Sequence, residues 1–162
     1  MKIRTVAGTL GCFFLATVCT QAQDQNRPKV VKVANFTNQT GAIPGTTVFT
    51  SLADGLFRVS IYMEELSTNA ANNSDGAMCP SLVYTGDSGV ASQGNAGGGS
   101  VGGPACLLIS PELNGNDAST VFPFRAKANT PVSFSSSFAG GVIPTQPWSY
   151  SAYVVVELIT RQ

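Results

Sequence analysis

The chain has 162 residues, nine Lys+Arg against nine Asp+Glu, no histidine, four cysteines and 17 glycines, and only 11% of it is charged. That length suits one domain of the usual ~100–200 residues. Lack of histidine excludes from this chain Ser-His-Asp and Cys-His nucleophile activation, His-ligated zinc and imidazole acid–base work near neutral pH. Balanced charge without a Lys/Arg cluster leaves no footprint for nucleic acid or an anionic membrane.

Lys2 and Arg4 precede the apolar stretch TVAGTLGCFFLATVC (residues 5–19), and Thr20 and Ala22 put small residues at both positions a signal peptidase inspects. Residues 1–22 therefore read as a signal peptide cleaved after Ala22, which implies a secreted, periplasmic or cell-surface protein. The apolar run is shorter than the ~20 residues that cross a bilayer, so the mature chain is expected to carry no membrane span. Cys19 stands where an acyl anchor would attach, but Val18 is bulkier than lipoprotein motifs require before that cysteine. Cleavage leaves seven positive against nine negative charges, and of the cysteines only Cys79 and Cys106. An even pair in an exported chain is expected to be a disulfide.

Residues 23–29 (QDQNRPK) form a polar leader, and a single domain is expected over 30–162. VVKVANF (30–36) and TTVFTS (46–51) read as short strands around turn chemistry at 37–45. In GLFRVSIYMEEL (55–66), Phe57, Val59, Ile61 and Met63 alternate with Arg58, Ser60, Tyr62 and Glu64, the period-two pattern of a half-buried strand. A loop is expected over 67–78, then short strands at SLVYT (81–85) and CLLIS (106–110). Between them, residues 86–104 hold eight glycines in 19 positions, read as a surface loop too costly in backbone entropy to order, tied off by the disulfide.

STVFPFRAKA (119–128) puts Phe122, Phe124 and Ala126 on one face, and Pro123 argues for an edge strand or a bulge. Val132, Phe134, Ser136 and Phe138 alternate with serines in the next strand. The last, WSYSAYVVVELIT (148–160), sets Tyr150, Ala152, Val154, Val156 and Leu158 on one face, while Tyr153, Val155 and Ile159 make the other apolar too. That second face points to a central strand or to contact with another subunit. About eight short strands, turn signals between them and no helical pattern predict an all-β antiparallel β-sandwich of jelly-roll type.

The segments ADGLFRVSIYMEE (53–65) and YSAYVVVELI (150–159) resemble two strands of C1q/TNF-like jelly rolls. The resemblance implies a ten-strand-like jelly roll and a homotrimer, and carries over no catalytic residue. The Gly-rich insertion between cysteines departs from that pattern. Exported fimbrial subunits share the signal peptide, the Ser/Thr/Gly/Asn-rich composition and one disulfide. In those subunits the disulfide ties an early strand, whereas Cys79 and Cys106 lie mid-chain.

Candidate chemistry is sparse. Glu64 and Glu65 are adjacent and so point to opposite faces, which prevents them from flanking one glycosidic bond; they read as solvated charges at a strand end. Asn/Asp-rich runs at 72–76 and 114–117 offer oxygen ligands but lack EF-hand spacing and read as turns, so no metal or cofactor is expected. Arg58, Arg125 and Lys127 are candidates for a small basic patch facing an acidic ligand. Trp148 and Tyr150, with Tyr62, Tyr84 and Tyr153, are candidates for a sugar-stacking platform, against the alternative of buried packing. The expectation is a non-enzymatic binding or structural module partnering itself, an extracellular protein or a glycan. The alternatives are a fimbrial-type filament subunit and a carbohydrate-binding protein.

Overall fold

The computed structural model describes residues 27–67, 76–94, 106–109, 116–139 and 148–161. The expected signal peptide, the expected leader before Arg27, the Asn/Asp runs at 72–75 and 114–115, and 95–104 of the Gly-rich stretch lie outside the described residues. Among those described there are nine strands and no helix: β1 (Lys29–Gln39), β2 (Thr46–Thr50), β3 (Gly55–Ser67), β4 (Gly76–Gly86), β5 (Gly89–Gly94), β6 (Leu107–Ile109), β7 (Asp117–Ala126), β8 (Pro131–Ala139) and β9 (Ser149–Arg161).

All pairings are antiparallel. One sheet runs β1-β9-β3-β7, the other β2-β8-β4-β5, with β6 also on β4. Strands β5 and β6 occupy one lane, since Gly94 lies opposite Ser81 and Leu107 opposite Met78. Counted as a single broken strand, they leave eight in two four-stranded sheets whose strand order is that of a jelly roll. The eight strands expected from periodicity become nine because β5 (Gly89–Gly94) forms inside the stretch expected to be a loop.

The inward positions are those the alternation selects. Phe57, Val59, Ile61 and Met63 from β3 meet Tyr150, Ala152, Val154 and Val156 from β9 and Val132 and Phe134 from β8, all buried. Pro123 does sit on an edge strand, β7, where a missing N–H costs no ladder bond.

Three expectations need correction. Gly86 pairs with Gly89, so the start of the Gly-rich stretch is a tight β4–β5 hairpin, made possible by Gly89 at φ +102°. Strand β4 begins at Gly76, inside the expected loop, because Gly76, Met78 and Cys79 find partners on β6 and β8 and are buried. Glu65, expected in solvent, is 5% exposed, since it continues the inward parity of β3; its N–H donates to the carbonyl of Asn116 at 2.8 Å.

Candidate functional site

Cys79 and Cys106 are disulfide-bonded with their Cα atoms 4.3 Å apart. That is near the Cα spacing of close pairs in antiparallel strands. The bridge sits where the fifth lane is broken: β6 stops opposite Met78, β5 opposite Ser81, and Cys79 and Pro80 lie between. It therefore holds together a lane that has lost its ladder.

The candidate basic patch does not assemble as one group. Arg58 Nε donates to Glu157 Oε2 at 2.7 Å across β3 and β9, a bond that raises the guanidinium's pKa still further. Lys127 lies past the end of β7, where its N–H donates to the carbonyl of Thr85 in the other sheet and its amino group is 3.6 Å from Asp87. Arg125 shares the outer face with Arg58 on the neighbouring strand and is exposed. Two of the three cations thus face carboxylates of the same chain, which leaves no shared anion site.

The candidate platform of Trp148 and Tyr150 is overturned by burial. They are 2% and 0% exposed and stack with centroids 5.6 Å apart inside the sandwich. β9 starts at Ser149, and the inward parity that buries Tyr150 also carries Trp148 into the core. Tyr84 is buried too, against Phe124. The outward tyrosines are Tyr62 and Tyr153, which stack across β3 and β9 at 6.0 Å.

That pair belongs to a larger arrangement on the outer face of the β1-β9-β3-β7 sheet. Register places three rows straight across four strands. Asn35, Tyr153, Tyr62 and Ser119 form one, Val33, Val155, Ser60 and Val121 the next, and Val30, Glu157, Arg58 and Pro123 the third. In the middle row Val33 is 51% and Val121 60% exposed. On one side of it Tyr153 donates its hydroxyl to Glu64 Oε1 at 2.9 Å; on the other stands the Arg58–Glu157 pair. Desolvation, with Asp117 and Glu64 nearby, raises the Tyr62 phenol above its ordinary value, so it stays neutral near pH 7.

Sequence reading singled out Tyr153 and Val155 but missed Val33, Tyr62 and Val121 as their neighbours. The signal for β7 was present, since Val121 opposes the Phe122 and Phe124 side, but nothing local says which strands lie side by side. The face had two readings, a central strand or a subunit contact. β9 is central, lying between β1 and β3.

No family model matches the chain, and no curated protein matches it. Among solved structures, the chain is similar to "Structure of infectious bursal disease virus Gx strain", with 15% identity and a TM-score of 0.40 over 83% of this chain and 34% of that chain. For "Structure of infectious bursal disease virus Gt strain" the identity is 13% and the TM-score 0.23. This chain thus spans about a third of the first of these structures and 43% of the second. Its jelly-roll order comes from its own strand pairing.

Proposed function

We propose that this chain is an exported, non-enzymatic β-sandwich module with a structural or binding role, and that it assembles with copies of itself through the outer face of the β1-β9-β3-β7 sheet. The valine row between a tyrosine pair and an ion pair carries this reading. An antiparallel sheet with one face on the core normally presents a polar outer face to water. Apolar residues at the centre with a polar and aromatic border are instead the anatomy of an interface. The disulfide supports export, since such bonds persist in oxidising compartments.

A closed trimer, as the C1q/TNF-like resemblance implies, is favoured over a fimbrial filament. Among the described residues β9 is paired along both sides, so no lane beside it is empty for a donated strand. Light scattering on the purified mature chain tests this. A mass of three subunits is expected, concentration-dependent growth supports the filament, and a stable monomer at micromolar concentration rejects both. Export predicts Gln23 as the first residue of the secreted chain by N-terminal sequencing. Robust turnover on glycan or ester panels, abolished by one carboxylate substitution, would overturn the non-enzymatic reading.

A further inference from the structure

The edge strands β1 and β2 touch on one side of the sandwich. At their ends a cavity of about 460 Å³ opens between the sheets. Its wall is apolar: Val31, Phe49, Phe57 and Leu158 line it, with the two phenylalanine rings 5.3 Å apart. Lys29 and Arg161 line it as well, both exposed, and among the described residues no carboxylate does. Among the described residues neither cation makes an ion pair. Leu52 stands at the same cavity at 86% exposure, a large apolar side chain with almost nothing packed on it.

A second observation points to the same place. Three strands that border the cavity break register there. In β1, Val31 falls between the pairs Val30–Glu157 and Lys32–Val156. In β2, Val48 falls between Thr47–Ser133 and Phe49–Val132. In β9, Ile159 falls between Leu158–Phe57 and Thr160–Leu56. Bulges bend strands and re-aim side chains, and they gather beside functional sites. Here they accompany a gap that an unbroken pair of sheets would close with interdigitated side chains.

We propose that this cavity binds an amphipathic anion, a carboxylate or sulfonate with an apolar body, whose acidic group is held by Lys29 and Arg161 and whose body lies on Phe49, Phe57 and Leu158. Its volume lies within the ~300–1,000 Å³ of small-molecule sites, which are apolar with a few placed polar groups. Charge complementarity selects the anion: an alcohol of the same shape forgoes the two cations, and an ammonium meets them as like charges.

Calorimetric titration of the purified chain with decanoate, decan-1-ol and decyltrimethylammonium tests the site. Decanoate is expected to bind one to one, at least about tenfold more tightly than the other two. The double variant Lys29→Gln/Arg161→Gln should bring decanoate to the level of the alcohol while its melting temperature stays that of the parent, because both side chains are exposed. Equal binding of the three ligands, no binding of any, or a decanoate affinity unmoved by the double variant overturns the proposal. So does an affinity that falls as protein concentration rises, which would mean that a second copy fills the cavity.

Discussion

Tyr150 is a buried polar side chain of the core with two hydrogen bonds. Its hydroxyl donates to the carbonyl of Gly41 at 2.9 Å and accepts from Ser136 Oγ at 2.7 Å, and Ser136 Oγ in turn accepts the Ile43 N–H at 2.8 Å. This relay anchors the β1–β2 connection on β8 and β9. Tyr150→Phe leaves a buried hydroxyl and a carbonyl short of partners, so a loss of about 1–3 kcal/mol is expected from denaturant unfolding at pH 7. Burial also raises the phenol above its ordinary 10.0. A phenol that holds its proton more tightly folded than unfolded contributes stability that is complete below pH 10 and is lost as pH rises beyond it. The stability of Tyr150→Phe should therefore fall less steeply above pH 10 than that of the parent.

Gly76 supplies a second single-residue test. A Cβ built there would lie 1.9 Å from Cζ of Phe138 on β8, so any side chain forces the ring to move. Gly76→Ala is expected to cost about 1–3 kcal/mol by overpacking. Adding Phe138→Leu should recover part of that loss, a non-additivity that a double-mutant cycle reads directly.

Strand β4 places a proline in the middle of a sheet, where residues without an N–H are normally rejected. Pro80 faces Ser136 of β8 on one side, and on the other the lane is open between β5 and β6. The broken fifth strand, the proline and the cystine are thus one local solution: the lane opens where Pro80 sits, and the bridge from Cys79 keeps β6 in place. Cys79→Ala/Cys106→Ala is expected to lose about 3–4 kcal/mol by the chain-entropy model, read from denaturant midpoints. Non-reducing and reducing mass spectra of the parent should differ by two hydrogens.

In the assembled molecule the outer face of the β1-β9-β3-β7 sheet is proposed to be covered. Val121→Lys alters a residue that is 60% exposed in the single chain, so the monomer fold should survive with an unchanged circular dichroism spectrum. The same change puts a charge into the centre of the proposed interface, and the light-scattering mass is expected to fall to that of one subunit. An unchanged oligomer would move the interface elsewhere.

Much of this architecture was legible in the chain alone, because a strand with one face on a core must alternate. That requirement named Phe57, Val59, Ile61, Met63, Val132, Phe134, Val154 and Val156 as core; separately, the even pair Cys79 and Cys106 suggested the disulfide, and the missing N–H of Pro123 suggested an edge strand or a bulge. What period two cannot say is which strands are neighbours or where a strand's end falls within the sandwich. Trp148 and Tyr150 looked like candidate ligand contacts at a loop junction, but they follow the inward parity of β9 and are buried inside the sandwich. Arg58 and Lys127 looked free until the register across strands supplied Glu157 and the β4–β5 hairpin supplied Asp87. The valine row and the cavity by Lys29 and Arg161 each draw on residues from β1 to β9, separated by most of the chain. Local sequence determined the faces of the strands, because side-chain direction is a property of the extended backbone; only the folded sheets decided the company those faces keep, because lateral pairing and register are set between distant segments.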